Sequence, residues 1–198
     1  MTEKILSGRI ALITGANQGL GREISRSYVT AGADVMLCAR NYDLLEKVEL
    51  ELNPLLGKNQ KICIKKCDVT NENEVNALVH DTLDKLGGCQ ILVNNAGIYG
   101  PKGAIEDQDW DEWKKAIEIN VFGSVLMCRA LIPHFKRHKY GKIIQLSGGG
   151  ATKPLPNLSV YATSKAAIVR FADTLAEEVR CFGIDVNAIA PGALNTNM

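Results

Sequence analysis

This 198-residue sequence lacks several features that mark specialised classes of protein. Its 23 Lys and Arg against 22 Asp and Glu leave a formal charge of +1, so no basic field is available to hold nucleic acid. No uninterrupted apolar run approaches the ~20 residues of a membrane helix, and the start has no basic segment followed by an apolar stretch. These absences predict a cytoplasmic protein that binds neither nucleic acid nor membrane.

Metal-binding and disulfide patterns are also missing. The six cysteines show no C-x-x-C spacing and mostly fall inside apolar stretches, so we expect them to be reduced and buried. Reduced thiols fit the same compartment. His134 and His138 are four residues apart near a predicted helix end, but no acidic partner completes the motif in which such a pair binds metal. No metal site is predicted.

What the sequence does contain is a regular alternation of short apolar runs with longer amphipathic stretches. The first apolar run covers residues 9–14 and the last covers 184–190. This alternation predicts βαβ units, and therefore an α/β fold with a parallel sheet covered on both faces. Right-handed crossovers favour the doubly wound Rossmann order 3-2-1-4-5-6, with any ligand at the carboxyl ends of the strands. One domain over residues 1–198 is expected.

A glycine-rich loop follows the first predicted strand and opens directly into a helix. Its spacing is Gly15-x-x-x-Gly19-x-Gly21 rather than the common G-x-G-x-x-G. Glycine lets the main chain approach a pyrophosphate, and the helix N-terminus supplies N–H donors. The loop predicts a dinucleotide-binding site, with a purely structural turn as the alternative. The candidate cofactor-binding residues here are Gly15, Asn17, Gln18, Gly19, Leu20 and Gly21.

The end of the second predicted strand bears on which dinucleotide binds. An acidic residue about 20 positions after the loop would hold the ribose hydroxyl of NAD, but this strand ends in Ala39-Arg40. A guanidinium pairs with a 2′-phosphate, which a carboxylate would repel. NADP(H) is therefore favoured over NAD(H). The alternative is that Arg40 is simply solvated and that Asp43 or another group serves the ribose.

Tyr161 and Lys165 lie four residues apart in a stretch predicted to be helical, so their side chains share one face. A phenol with the usual pKa of ~10 is a poor base at neutral pH, and an adjacent ammonium lowers that pKa. The pair is therefore a candidate for proton transfer. Such spacing alone is common by chance.

Six segments, in order along almost the whole chain, resemble the motifs of the classical short-chain dehydrogenase/reductase family. They are residues 14–21, Asp68-Val69, Asn94-Asn95-Ala96-Gly97, Asn120, the Tyr161-x-x-x-Lys165 pair, and Pro191-Gly192 through Thr196. The resemblance implies an NADP(H)-dependent enzyme that interconverts a carbonyl and a secondary alcohol by hydride transfer. It also implies a small-molecule substrate and a homodimer or homotetramer.

The same resemblance implies a role for each matching residue. Tyr161 would exchange a proton with the substrate oxygen, Lys165 would lower its pKa and hold the nicotinamide ribose, and Asn120 would support a proton relay. Asp68 and Val69 would contact the adenine. The remaining cofactor-side residues that it implies are Asn94, Ala96, Gly97, Pro191, Gly192 and Thr196.

Two departures from the family pattern affect these expectations. The family usually places a substrate-orienting serine 13 positions before the tyrosine, where this chain has Gly148, with Ser147 one residue earlier. The surrounding glycines can redirect Ser147 toward the substrate carbonyl; alternatively, no serine acts and Tyr161 is the main donor. The sequence also stops at Met198, where the family adds a helix and a strand, so we expect a C-terminally truncated dinucleotide-binding catalytic domain.

Three functions therefore stay open. The first is the NADP(H)-dependent carbonyl and alcohol oxidoreductase. The second is a catalytically impaired member of the same fold that binds a dinucleotide and regulates. The third is an epimerase or dehydratase that uses the same Tyr–Lys pair. The sequence does not identify the substrate, because pocket shape determines it.

Overall fold

A computed structural model describes residues 4–192 of the chain, and within them six parallel strands form one sheet. Its order, β3-β2-β1-β4-β5-β6, confirms the predicted doubly wound Rossmann arrangement. The predicted site residue Thr196 and the end of the chain lie outside the described residues. The strands are β1 (Ile10–Thr14), β2 (Asp34–Ala39), β3 (Ile62–Lys66), β4 (Ile91–Asn94), β5 (Gly141–Leu146) and β6 (Ile184–Ile189).

Two hydrophobic cores lie on opposite faces of this sheet. Every side chain of β1 is buried, as expected for a parallel strand covered on both sides. Because successive side chains point to opposite faces, Leu12 joins one core while Ala11 and Ile13 join the other. The helices that cover the sheet are α1 (Gly19–Thr30), α2 (Tyr42–Leu52), α3 (Glu72–Leu86), α4 (Trp110–Ile117), α5 (Gly123–His138) and α6 (Ser159–Val179).

The start of α3 also organises the loop that precedes it. The Asn71 side chain accepts hydrogen bonds from the main-chain N–H groups of Asn73 and Glu74, which caps the helix. The Glu74 carboxylate accepts from the main-chain N–H of Asp68 (2.8 Å) instead of returning to the cap residue. The cap therefore holds in place the segment that follows β3, where Asp68 and Val69 lie.

The long stretch between β4 and β5 is interrupted where the sequence pattern gives no warning. A π turn (Glu118–Phe122) separates α4 from α5, and Asn120 lies at its centre. Such turns are rare and often occur at functional sites. The helical run Trp110–His138 is long and apolar enough to qualify as a membrane span by length and composition, and 44% of its most apolar window is buried in the fold. A core helix meets the same criteria.

Candidate active site

The glycine loop after β1 packs closely enough to leave no room for a side chain at Gly15 or Gly21. Gly15 has a φ of +62°, and a Cβ there would lie 2.9 Å from the Cα of Ala96. A Cβ on Gly21, in the first turn of α1, would collide with the carbonyl oxygen of Gly15. The loop thus exposes bare main chain at the N-terminus of a 12-residue helix, the arrangement that accommodates a phosphate group.

Asn95 links this loop to the end of β4, and sequence reasoning did not identify it. Its side-chain amide donates to the carbonyl oxygens of Thr14 and Gly15, both at 3.0 Å. The main-chain N–H groups of Asn95 and Ala96 both donate to the Thr14 hydroxyl at 3.0 Å. The available signal was the position of this amide just after a strand that neighbours β1. Asn95 determines how the glycine loop sits against β4.

A cleft crosses the carboxyl ends of β1 to β4 and brings most of the predicted cofactor residues together. Those lining it are Gly15, Asn17, Gln18, Gly19, Leu20, Gly21, Arg40, Asp68, Val69, Ala96 and Gly97. Asn94, Pro191 and Gly192 are not among its lining residues. The structure therefore gathers residues that are up to 82 positions apart into one elongated site, as the switch point of a doubly wound sheet predicts.

Arg40 follows β2 at the mouth of this cleft. Its side chain is exposed, and within residues 4–192 it forms no ion pair. Asp43, the alternative ribose ligand, lies exposed in the first turn of α2 and is not among the lining residues. The guanidinium is thus a free positive charge at the end of the cleft formed by β2 and β3.

Asn94 faces away from the cleft. Its amide nitrogen lies 3.3 Å from the carbonyl oxygen of Ser124 and 3.4 Å from the sulfur of Cys128, both in α5. Its side-chain oxygen is buried and has no hydrogen-bond partner among the described residues. In this structure Asn94 therefore joins β4 to α5 rather than contacting the space in which a cofactor would lie.

Tyr161 and Lys165 lie at the start of α6, both buried against the end of β5. The Lys165 ammonium donates to the carbonyl oxygen of Leu146 (2.7 Å) and lies 5.6 Å from the centre of the Tyr161 ring. Burial lowers the pKa of Lys165 to about 8. The pKa of Tyr161 is raised, first by burial and then by the neighbouring phenol of Tyr99. The expected lowering of the Tyr161 pKa is therefore not observed, because burial and the Tyr99 phenol both raise it.

Asn120 clamps the loop that follows β4. Its side-chain oxygen accepts from the main-chain N–H of Ile98 (2.8 Å), and its amide nitrogen donates to the carbonyl oxygen of the same residue (2.8 Å). The amide also donates to the hydroxyl of Ser164 in α6 (2.9 Å). With 1% exposure, the side chain is fully occupied in holding this loop against α6. A proton relay would have to use other atoms.

Comparison with known proteins assigns the family. A sequence model described as "short chain dehydrogenase" matches residues 9–198. The chain belongs to the short-chain dehydrogenase family. The relatives include dehydrogenase/reductase SDR family member 7B from Rattus norvegicus, 36% identical over 196 residues, and the 7alpha-hydroxysteroid dehydrogenase of Escherichia coli, 36% identical over 192 residues. The alignments cover 98% and 97% of this chain, but 60% and 73% of the respective relatives.

Solved structures of short-chain dehydrogenases superpose on the whole sheet. A levodione reductase matches with a TM-score of 0.93 and 29% identity, covering 97% of this chain and 74% of its own. A 3-ketoacyl-(acyl-carrier-protein) reductase from Brucella melitensis, complexed with NADH, matches with a TM-score of 0.91 and 34% identity, covering 96% and 78%. The fold of this family member is thus that of nicotinamide-binding relatives.

Position 148, where the family usually has a serine, is a glycine in this chain. Gly148 lies directly against the phenol of the tyrosine, since a Cβ on it would be 2.5 Å from the Oη of Tyr161. The Ser147 hydroxyl donates to the main-chain carbonyl of Lys165 (3.3 Å) and is buried. The redirection of Ser147 toward a substrate carbonyl is therefore not observed in this structure. A second aromatic ring lies beside Tyr161: the centre of the Tyr99 ring, another residue that sequence reasoning missed, is 4.8 Å from that of Tyr161.

Proposed function

We propose that this short-chain dehydrogenase uses NADP(H) to interconvert a carbonyl and a secondary alcohol, with Tyr161 as the acid and base. The observation that carries the proposal is the position of the phenol, 9% exposed, beside the buried amine of Lys165 at the carboxyl end of β5. The cleft approaches this pair at Gly97, a lining residue whose Cβ position would lie 3.6 Å from the Nζ of Lys165. The names of several relatives, which include a hydroxysteroid dehydrogenase and a ketoacyl reductase, support the same reaction type.

The residues of the cleft fit a dinucleotide. Because Gly15 and Gly21 have no Cβ, the loop packs tightly against Ala96 and Asn95 and turns directly into the N-terminus of α1, where a pyrophosphate is stabilised by N–H donors and the helix dipole. When bound, the cofactor supplies or accepts the hydride. The unpaired guanidinium of Arg40 favours a 2′-phosphate and hence NADP(H), because it offers a bidentate, charge-assisted partner.

The Tyr161 phenol carries its proton in the cofactor-free protein. Because burial raises the pKa of this phenol, it is protonated at neutral pH and can give its proton to a carbonyl oxygen. The carbonyl carbon receives the hydride in the same reaction, so the product is the alcohol. In the oxidative direction the same residue, as the phenolate, accepts the proton of the alcohol. The Lys165 amine, with a pKa of about 8, still carries its charge at neutral pH.

We include in the proposal a small-molecule substrate, a cytoplasmic location and a homodimer or homotetramer. The free cysteines, of which five are buried or partly buried, fit a reducing compartment. Trp110 and Phe122 expose 64% and 55% of their surface on α4 and the π turn, and we propose these two side chains as candidate contacts between subunits. Sedimentation velocity of the purified chain tests the assembly.

The variant Tyr161→Phe tests the reaction. We expect turnover of ketones with NADPH to fall about 100- to 10,000-fold, because the variant has no proton to donate, while NADPH binding stays unchanged. Tyr140→Phe is the matched control. Tyr140 lies just before β5, at the amino ends of the strands and therefore at the opposite end of the sheet from Tyr161. Its ring packs against Arg9. Equal turnover in Tyr161→Phe and the wild type would overturn the mechanism.

A further inference from the structure

Tyr99 lies beside the reacting phenol although no motif points to it. The centres of the Tyr99 and Tyr161 rings are 4.8 Å apart, with an angle of 43° between the ring planes. Tyr99 is half-buried and follows β4 by five residues, on the loop that Asn120 clamps. Tyr99 is therefore a neighbour of the candidate acid and base, on the loop that follows β4.

The backbone on both sides of Tyr99 is held rigidly. Before it, both polar main-chain groups of Ile98 are hydrogen-bonded to the Asn120 amide at 2.8 Å. After it, Gly100 has a φ of +72°, and a Cβ there would lie 2.7 Å from Val160 and 2.8 Å from Ala116. Only glycine fits this close approach to α4 and α6. Tyr99 is thus positioned by flanking residues that leave its main chain little freedom.

The Tyr99 ring is restrained as well. The ammonium of Lys102 lies 4.7 Å from its centre, within the range of a cation–π contact. Further along, the N–H of Gly103 donates to the carbonyl oxygen of Asn157 (3.0 Å), which ties this loop to the segment before α6. A group that is held in place before the substrate arrives loses little entropy when it forms a hydrogen bond.

At position 148 the site lacks the hydroxyl that would donate a hydrogen bond to the substrate oxygen, and Tyr99 can supply one. In carbonyl reduction, negative charge develops on the substrate oxygen, and two positioned donors stabilise it better than one. Gly148 has no hydroxyl to offer, and the Ser147 hydroxyl is engaged by the Lys165 carbonyl. Among the side chains known to contact the Tyr161 ring, Tyr99 carries the remaining hydroxyl.

We infer that Tyr99 is a second catalytic residue, whose hydroxyl donates a hydrogen bond to the substrate oxygen while Tyr161 transfers the proton. The inference rests on the proposed function. Tyr99 keeps its own proton throughout: the substrate carbonyl gains one hydride at carbon and one proton, from Tyr161, at oxygen. Tyr99 thereby takes the place of the serine that this chain lacks at position 148.

The first test separates the Tyr99 hydroxyl from its ring. With NADPH and a panel of cyclohexanone, acetophenone and ethyl acetoacetate, we expect Tyr99→Phe to lower kcat about 100-fold with little change in KM. A residue that only packs against Tyr161 would show no loss in Tyr99→Phe and a loss only in Tyr99→Leu. Tyr140→Phe is the control for removing a hydroxyl elsewhere, and NADPH fluorescence confirms that each variant still binds cofactor.

The second test does not depend on turnover. The chain has five tyrosines, so labelling their phenol carbons with carbon-13 gives five NMR signals whose pH titrations report individual pKa values. Because Tyr99 raises the pKa of Tyr161, Tyr99→Phe should lower it, whereas Tyr140→Phe should not. An unchanged Tyr161 titration in Tyr99→Phe would show that the two hydroxyls do not share a site, and would overturn the inference.

The outcomes separate this inference from the reaction on which it rests. If the wild type reduces none of the panel, or if Tyr161→Phe is as fast as the wild type, the proposed function fails and the role of Tyr99 fails with it. If Tyr161→Phe is inactive while Tyr99→Phe matches the wild type, the reaction stands and the second donor is excluded. Loss of kcat in Tyr99→Phe together with the lowered Tyr161 pKa supports the inference.

Discussion

Around the glycine loop the closest contacts are made by main-chain atoms, whereas around Tyr161 they involve side chains. The first region, which we call the cofactor side, comprises residues 15–21 with Asn95, and what it requires is the absence of Cβ atoms. The second, the catalytic side, comprises Tyr161, Lys165 and Tyr99 with the bare position at Gly148. Packing of the glycine loop requires only that no Cβ blocks the close approach of the main chain. The chemistry around Tyr161 requires a particular functional group at each position.

This difference explains why the two sides depart from family expectations to different degrees. The predicted residues of the glycine loop all line one cleft, although Asn94 packs against α5 instead. On the catalytic side, Ser147 and Asn120 are engaged in main-chain contacts, and the pKa of Tyr161 moves opposite to expectation. A hydroxyl that is absent at one position can be supplied by a residue of another loop, as we infer for Tyr99. A position that requires glycine for steric reasons has no such substitute.

The largest effect on the cofactor side is expected from Gly21→Ala. Its new Cβ would collide with the carbonyl oxygen of Gly15 and crowd the Asn95 amide, so the loop has to shift. We expect NADPH affinity to fall about 100-fold and the free energy of unfolding to fall by about 1–3 kcal/mol. Fluorescence titration and urea unfolding measure the two. Gly149→Ala, whose Cβ meets no atom within 4 Å, is the control, and equal behaviour of the two variants would contradict the steric argument.

Arg40→Asp tests whether the Arg40 side chain, at the mouth of the cleft, selects the cofactor. A carboxylate at this exposed position would repel a 2′-phosphate, so the ratio of NADPH to NADH affinity should fall about 10- to 100-fold. The change should reside in NADPH affinity, with NADH bound as well or better. Isothermal titration with both cofactors checks it, and an unaltered ratio would show that Arg40 is a solvated surface residue.

We expect Lys165→Met, on the catalytic side, to have opposite effects on stability and on activity. The folded-state pKa of about 8 lies below the ordinary value of 10.5, so the folded chain is penalised for the ammonium. Between these pKa values the unfolded chain binds more protons, and wild-type stability therefore rises with pH across that window. We expect the variant to lose turnover and to be about 1–3 kcal/mol more stable below pH 8, with the advantage fading toward pH 10.5.

Urea unfolding of the cofactor-free wild type and Lys165→Met at pH 7 and at pH 9.5 measures this effect. Lys136→Met is the control, since Lys136 lies on α5 with its ammonium over the Phe182 ring, away from the cleft. A gap between wild type and Lys165→Met that stays constant over the two pH values would contradict burial as the cause of the pKa shift.

The smallest expected effect is the difference between substitutions of two neighbouring asparagines, Asn95 and Asn94. Asn95→Ala removes two hydrogen bonds to the carbonyl oxygens of Thr14 and Gly15, so it should weaken NADPH binding several-fold and cost about 1–2 kcal/mol of stability. Asn94→Ala loses weaker contacts with α5 and should change stability alone. Parallel titrations and melts of the two variants test this. Equal losses of NADPH affinity would show that Asn94 also supports the cofactor.

Much of the fold was predictable because it follows from local patterns. The alternation of apolar and amphipathic stretches implies the parallel sheet and its order. The π turn was not predictable, because the apolar periodicity of residues 109–139 continues through it. Its formation accompanies the contact of Asn120 with Ile98, 22 residues earlier in the chain.

The candidate site divides in the same way. By itself, the sequence determined where glycines interrupt a strand–helix junction and which residue types could bind phosphate or move a proton, because these properties belong to the residues and their spacing. Only the tertiary structure decided which hydroxyls lie beside Tyr161 and in which direction its pKa moves. Those properties depend on burial and on contacts between distant segments, such as the approach of Tyr99 to Tyr161, which no local pattern encodes.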